Sequence, residues 1–407
     1  MVGWSRRRKA LTILLFISPT IIGILIFNIY PIVLNTYISF TNYGQFRPNP
    51  DCSVPLTSVL VPSCWPVFRE TAPKGMGEPF QIQNPPYKNY DLLIGRLLSR
   101  EASLALLRLG VVLLPLIAAN QLNRYYDRQI SRPVSSLLVW LIGLLAAVLL
   151  GWLVALPKAI AVLQQTGDFF VVVFRTVLFV MLSIPLNYTV GLALALVLNS
   201  PHIRGRTLFR AAMIVPWAAS TMFIIMALIW QFFFRQQGTV NQILKLFNIQ
   251  GPAWLNNPTY AFGILLLVNL WFSFPFCFSV ILGALQAIPI EQYEAAEVDG
   301  ATWWQQLTNI TLPLLRPAVL PAVVLSAIGP GGFQMFGTVW AITQGGPSRG
   351  AGVPGATELV MVYAYKQVFQ SNAYAKAGAF AVIIFIFLFI ATLYSLRITR
   401  ITKGAYE

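Results

Sequence analysis

Long apolar runs recur along the whole chain, and they constrain its fold more than any other feature. A run of about 18 or more apolar residues is long enough to cross a bilayer as a helix. The composition agrees, because 57% of the residues are hydrophobic and only 10% are charged, with a mean hydropathy of +0.68. The runs predict an all-α, polytopic membrane protein with about eight transmembrane helices, at residues 11–36, 102–119, 134–156, 170–198, 207–234, 259–286, 313–342 and 373–396.

Basic residues beside the runs indicate the direction of the chain. The cluster Arg6–Lys9 precedes the first run, and no small-residue cleavage site follows it, which predicts a retained first span that starts in the cytoplasm. The run 102–119 is short and carries Arg108, but counting it as a span keeps both 199–206 and 287–312 in the cytoplasm. Both termini are then cytoplasmic as well. The predicted inner loops contain dense basic residues, namely Arg124, Arg128, Arg132, Arg204, Arg206, Arg210, Arg397, Arg400 and Lys403.

The segment 41–101 is rich in proline, glycine and polar residues, and we expect it outside the cytoplasm. Cys52 and Cys64 lie twelve positions apart in it. Outside the cytoplasm such a pair can oxidise, and a loop that short would be stabilised by roughly 3 kcal/mol. Two unpaired thiols are the alternative. Cys277 lies inside an apolar run, which is typical of a packing residue.

Several kinds of chemistry are missing from the sequence. The net charge of +15 reflects basic residues beside spans, and no basic helix or aromatic platform accompanies it, so nucleic acid is not an expected partner. None of the 13 carboxylates lies in the core of a predicted span, which disfavours an ion-coupled secondary carrier. There is no phosphate-binding G-x-x-x-x-G-K-[ST] loop, and the lone histidine, His202, lies in a basic turn. We therefore expect neither an enzyme nor a metal site.

The loop 287–312, called the acidic loop below, differs from the other connections because it holds acids and no lysine or arginine. Pro289 can open a helix at Ile290, and Gly300 can end it in a sharp turn. A second short helix is predicted from Thr302 to Asn309. Three glutamates recur on one face of the first helix, namely Glu291, Glu294 and Glu297.

A family resemblance is carried by this loop. The pattern E-A-A, three residues, G, nine residues, I-x-L-P resembles the signature of bacterial ABC importer permease subunits, and its positions are Glu294, Ala295, Ala296, Gly300, Ile310, Leu312 and Pro313. The resemblance implies a permease with a six-helix core, whose loop fits a cleft on a cytoplasmic ATPase and passes the closure of that ATPase to the membrane. It assigns coupling to Glu294, Ala295, Ala296, Asp299 and Gly300, with Glu294 pairing with a basic residue of the ATPase.

Further motifs resemble the sugar-specific members, in particular the larger membrane subunits of maltose and maltodextrin transporters. They are Asn269–Trp271, Phe274–Phe276, Gly283–Pro289, Thr343–Pro347 and Thr357–Leu359. The resemblance covers about residues 170–407 and the first span. It implies sugar contacts at Asn269, Phe272, Ser273 and Phe276, which share a helical face by their i, i+3, i+4, i+7 spacing, and at Gly332. Packing of the aromatic side chains between helices is the alternative.

The second predicted sugar-binding segment departs from the maltose subunits. Where those have an asparagine-rich run, this chain has Gly329–Gly332 before Phe333, a sequence that should interrupt the helix. The identity of the sugar therefore stays open between maltose, maltodextrin and a related disaccharide such as trehalose. Another solute such as glycerol phosphate is the alternative; it would require a basic residue in the pathway, and only Arg108 and Arg175 lie within spans.

The domain organisation expected from these patterns has four parts. They are a cytoplasmic N-terminus and first span (1–40), an extracytoplasmic segment (41–101), two inserted spans (102–169) and the core permease domain (170–407). The resemblance implies a bacterial inner membrane protein surrounded by lipid. The expected partners are a second homologous permease subunit, two copies of a cytoplasmic ATPase and an extracytoplasmic sugar-binding protein. The chain itself is expected to carry no cofactor, with ATP and Mg²⁺ on the ATPase.

Overall fold

Helices make up almost all of the ordered architecture. The computed structural model describes residues 6–44, 80–95, 99–126, 135–165, 167–201, 203–218, 223–329, 331–348, 350 and 353–399, so Cys52, Cys64 and His202 lie outside the described residues. The helices are α1 (Arg6–Ile24), α2 (Tyr30–Ser39), α3 (Lys88–Ile94), α4 (Arg100–Tyr126), α5 (Ser136–Leu153), α6 (Leu156–Gln165), α7 (Asp168–Asn199), α8 (Arg206–Ala218), α9 (Phe223–Phe233), α10 (Thr239–Leu246), α11 (Pro258–Gln286), α12 (Glu291–Val298), α13 (Trp303–Gln306), α14 (Leu312–Ile328), α15 (Gly337–Ile342), α16 (Val360–Phe369) and α17 (Tyr374–Thr399).

Six spans in the described part of the chain are long and apolar enough to cross a membrane, and the pair α5–α6, bent by 69°, makes a seventh if it counts as one. The all-α, polytopic class predicted from the sequence is therefore confirmed. The six are Thr12–Ser39, Arg100–Asn123, Asp168–Asn199, Pro258–Gln286, Trp303–Ile328 and Tyr374–Tyr394. The remaining expected span, 207–234, is represented by two shorter helices, α8 and α9, on either side of 219–222.

Two boundaries near the acidic loop differ from the prediction. The helix expected at Thr302–Asn309 does not stop before Pro313; it continues through a π-helical turn, Leu307–Thr311, into α14. Pro313 follows directly after the π-helical turn, and this wider turn accommodates the main-chain hydrogen bond that proline cannot make. The span expected at 313–342 is wrong at its other end, because α14 ends at Ile328.

The interruption by the glycine-rich sequence is confirmed. Gly329 has an extended backbone, with φ −77° and ψ −164°, and caps α14. A turn follows, and helical structure resumes only at Gly337. Irregular backbone at membrane depth is stable only where protein or a water-filled cavity satisfies its polar groups. The break therefore marks a place where α14 is covered by other parts of the protein.

The chain divides into two compact units. One consists of Met1–Arg96 with Ala364–Phe387, and the other of Leu97–Tyr363 with Leu388–Glu407. In the first, the buried Asn89 donates from Nδ2 to the carbonyl groups of Ser39 and Thr41, both at 2.8 Å. These bonds fasten α3 to the end of the first span.

The second unit is organised around the packing of α7 against α11. Phe179 contacts Phe262 edge to face, with ring centroids 5.8 Å apart. Further along, a Cβ at Gly191 would lie only 2.9 Å from Cys277 Cβ, so the two helices approach closely there. Because both contacts advance together along the sequence, the helices run in the same direction. Cys277 is buried in this contact as a free thiol, as expected of a packing residue.

Candidate functional site

The acidic loop is shaped by two local capping motifs. The amide of Gly300 donates to the carbonyl of Glu297 at 3.0 Å, and that of Ala301 to Ala296 at 2.8 Å, which closes α12 with a Schellman motif. Gly300 has φ +75°, the left-handed conformation that this motif requires. Thr302 then begins α13, forming a capping box with Gln305. The turn between the two helices thus follows from residues 296–305 alone.

The face of α12 that the sequence predicted is exposed. Glu291, Glu294 and Glu297 are all exposed, as are Ala295 and Asp299, while Ala296 is half-buried. Apolar side chains flank these acids, with Val298 89% exposed and Trp303 and Trp304 both 64% exposed. Large apolar side chains beside a row of charges are typical of a surface that another protein covers.

One side chain connects α12 to the membrane helix that follows it. The Tyr293 hydroxyl lies 2.9 Å from Thr311 Oγ1. Thr311 is only 3% exposed and lies in the π-helical turn that leads into α14. This contact therefore links α12 to the base of α14 in addition to the chain itself.

The predicted sugar-contacting residues lie on α11, in the middle of the second unit. Asn269 is 3% exposed, and its Oδ1 accepts from Ser273 Oγ at 3.3 Å. Phe272 is buried among Phe179 and Met335, whereas Phe276 is half-buried. For Phe272 the packing alternative considered above describes this arrangement.

The glycine-rich break lies against the same part of α11. A Cβ at Gly331 would be 3.2 Å from Ser273 Oγ and 3.9 Å from the carbonyl oxygen of Ser326. Gly331 is half-buried and Gly332 is buried, but the close contact of Gly332 is within its own turn, where a Cβ would clash with the carbonyl oxygen of Ala327. The backbone at Gly331, rather than Gly332, is therefore the part of this segment that reaches Ser273.

Three polar residues of this region were not identified from the sequence. Tyr188 of α7 lies with its hydroxyl 3.2 Å from Ser326 Oγ, and Asn187 beside it is 1% exposed. Asn187 and Tyr188 could have been found from their position in an apolar span, on the inward-packing stripe of α7 that also holds Val180, Ile184 and Gly191. We call the five residues Asn187, Tyr188, Asn269, Ser273 and Ser326 the polar cluster.

Arg175, the buried basic residue of α7, is used elsewhere. Its guanidinium donates to the carbonyl groups of Pro354 at 3.3 Å and of Gly355. Glu358, 4% exposed, accepts from the Gly355 amide at 3.1 Å. Nearby, burial raises the pKa of Tyr363 above its ordinary value, so that its hydroxyl stays neutral and donates to Asp168 at 3.5 Å. These groups fasten the segment before α16 to α7.

Among the described residues, no group of three or more His, Cys, Asp or Glu side chains could hold a metal ion. The polar cluster contains no charged group, so its side chains can offer hydrogen bonds but no ion pair. The acidic loop offers carboxylates to a basic surface.

Comparison with known proteins places these features in a family. The model for the binding-protein-dependent transport system inner membrane component matches residues 187–402. The maltose/maltodextrin transport system permease protein MalF of Vibrio vulnificus (strain YJ016) is 34% identical over 236 residues, which are 56% of this chain and 44% of that protein. The trehalose/maltose transport system permease protein MalF of Thermococcus litoralis is 32% identical over 237 residues, 58% of this chain and 76% of that protein.

A solved bacterial ABC transporter involved in the import of the acidic polysaccharide alginate has a similar fold. One of its chains superimposes with a TM-score of 0.50 at 22% sequence identity, covering 65% of this chain and 96% of that chain. The chain spans less than half the length of the Vibrio relative. Because the family model covers more than half of the sequence and its spans are those of a multi-pass membrane protein, the chain belongs to the family of binding-protein-dependent transport system inner membrane components.

Proposed function

We propose that this chain is the transmembrane permease subunit of an ATP-driven, binding-protein-dependent sugar importer that carries maltose, maltodextrin or a related disaccharide such as trehalose. The observation that carries the proposal is the acidic loop, with an exposed face of glutamates and a buried contact, Tyr293 to Thr311, that ties it to α14. A loop that couples an ATPase to the membrane helices needs an exposed surface that binds the ATPase and a firm contact with a membrane helix. The names of the two MalF relatives, which are maltose/maltodextrin and trehalose/maltose permeases, support the choice of sugar.

In this proposal the acidic loop and both termini face the cytoplasm, and residues 41–101 lie outside. Each of two ATPase subunits hydrolyses ATP with Mg²⁺, and one of them receives α12, with Glu294 paired to a basic side chain. A second, homologous permease subunit completes the pathway, and an extracytoplasmic binding protein delivers the sugar. ATP-driven closure of the ATPases shifts the helices between outward-facing and inward-facing states.

The candidate sugar site is the polar cluster with its neighbouring aromatic side chains. Sugars present hydroxyl groups and apolar CH faces, so they suit uncharged hydrogen-bonding groups beside aromatic rings. Asn269, Ser273 and Phe276 supply these on α11. A phosphorylated solute such as glycerol phosphate fits less well, because Arg175 already binds carbonyl groups and Arg108 lies on the exposed face of α4.

The experiment that tests the proposal is reconstitution of the complete complex in liposomes. We expect ATP hydrolysis and uptake of radiolabelled maltose, maltotriose or trehalose to depend on the binding protein, with at least one sugar stimulating hydrolysis. Glycerol phosphate serves as the control solute. A flat response to every sugar together with stimulation by glycerol phosphate would contradict the sugar assignment, and uptake by this chain without ATPase subunits would contradict the coupling mechanism.

A further inference from the structure

Between Val180 and Ala195, the buried stripe of α7 contains three polar side chains with different hydrogen-bonding states. Ser183 Oγ donates to the carbonyl of Val180, within its own helix, at 3.4 Å. The Tyr188 hydroxyl forms a hydrogen bond with Ser326 Oγ. Asn187 differs from both, because its Oδ1 is buried and has no hydrogen-bonding partner among the described residues.

A second amide on the facing helix is in the same condition. Asn269 accepts from Ser273 through Oδ1, but its Nδ2 is buried and has no partner in the described part of the chain. The two unpaired atoms are complementary, since one is an acceptor and the other a donor. A buried polar atom without a partner costs free energy. A bound ligand could supply the missing hydrogen bonds to both atoms.

The register of α7 and α11 brings the two amides to neighbouring levels. Phe179 lies opposite Phe262, and Gly191 lies opposite Cys277. Asn187 is one turn before Gly191, which places it at about the level of Ser273. Asn269 is one turn before Ser273, so the amides are separated by about one helical turn, roughly 6 Å along the axis.

We propose that Asn187 is a sugar-binding residue, through which α7 contributes to the same site as Asn269 and Ser273. A sugar hydroxyl both donates and accepts, so it suits Asn187 Oδ1 and Asn269 Nδ2 together, or adjacent hydroxyls suit them separately. The backbone at Gly331 lies on another side of this site, because it packs against Ser273. This inference rests on the sugar-import function proposed above.

The test compares Asn187→Leu with the wild type in the complete reconstituted complex. Leucine has a similar volume and removes the unpaired acceptor, so the sugar-free complex should keep or raise its thermal unfolding midpoint. Uptake of the transported sugar at subsaturating concentration should fall roughly three- to tenfold, the effect of one lost hydrogen bond. Asn187→Ser, which replaces the amide by a hydroxyl that can still accept a hydrogen bond, should recover part of the uptake. Ser183→Ala is the matched control, since that hydroxyl is satisfied within α7, and it should leave uptake unchanged.

The outcomes separate this inference from the proposed function. Normal uptake by Asn187→Leu, in a complex whose wild type transports sugar, overturns the role of Asn187 and leaves the importer proposal standing. A lower unfolding midpoint together with a lower rate of sugar-independent ATP hydrolysis also overturns it, because Asn187 is then a structural residue. If the wild-type complex takes up no sugar, both the sugar-import proposal and the role of Asn187 are refuted.

Discussion

The contact between Tyr293 and Thr311 allows a quantitative test of how the acidic loop acts on the membrane helices. Tyr293→Phe removes only the hydroxyl, and Thr311→Val removes Oγ1 while keeping the branched shape of the side chain. A neutral hydrogen bond of this kind contributes about 0.5–1.5 kcal/mol, which corresponds to roughly a two- to twelvefold change in an equilibrium. If the bond transmits the movement of α12, each variant should lower sugar uptake per ATP hydrolysed by a factor in that range.

A double-mutant cycle isolates this bond from the others that the same side chains make. Thr311 Oγ1 also donates to the carbonyl of Gln306 at 3.3 Å, so Thr311→Val by itself loses two interactions. In the double variant the loss should be no greater than in Thr311→Val, because the Tyr293 hydroxyl no longer has this partner. Thr308→Val is the control, since that hydroxyl bonds within its own helix to the carbonyl of Trp304 at 2.8 Å. Additive losses in the double variant would refute transmission through this contact.

Two further substitutions test the loop surface and the helix packing. Glu294→Lys should abolish uptake and weaken retention of the ATPase by the purified complex, because reversing one partner of an interfacial ion pair costs about 2–5 kcal/mol; unchanged uptake would remove Glu294 from the interface. Gly191→Ala should lower the unfolding midpoint by forcing α7 from α11, with an overpacking cost of about 1–3 kcal/mol. Gly283→Ala, in open space on α11, is its control and should not destabilise; equal midpoints for the two would contradict the close approach.

Local signals in the sequence were sufficient for the acidic loop. A glycine after a helix and a Thr-x-x-Gln pattern define caps through residues that are near neighbours, so the bend at Gly300 is readable without any tertiary information. The same holds for the end of α14, where three glycines within four residues disfavour a helix. The predicted end of the second helix at Asn309 was wrong, because a π-helical turn at Leu307–Thr311 continues that helix into α14.

Contacts between distant segments were beyond such reasoning. Helical spacing placed Asn269 and Ser273 on one face of α11, but it gave no reason to bring Gly331 or Tyr188 to that face. Those contacts depend on the rotation of α7 and α14 about their axes, which the packing of the whole unit determines. A polar residue such as Asn187 inside an apolar span was the one available sign, because burying an amide in a membrane helix is costly unless it has a partner or a function.

The continuous helix from Trp303 to Ile328 joins the acidic loop to the polar cluster, and its prolines suggest how movement passes between them. Pro317 and Pro321 lie inside α14, four residues apart on one face, and each removes one main-chain hydrogen bond. Bending therefore concentrates in the middle of the helix, between Thr311 at one end and Ser326 at the other.

Pro317→Ala together with Pro321→Ala should restore both bonds, raise the unfolding midpoint and slow uptake more than ATP hydrolysis, as proteoliposome assays would measure. Pro185→Ala in α7, also an interior helix proline, controls for the general effect of removing a proline from a span. Full uptake by the stiffened double variant would mean that α14 moves as a rigid body, and the coupling would then have to pass through the contact of Ser326 with Tyr188 without any bend.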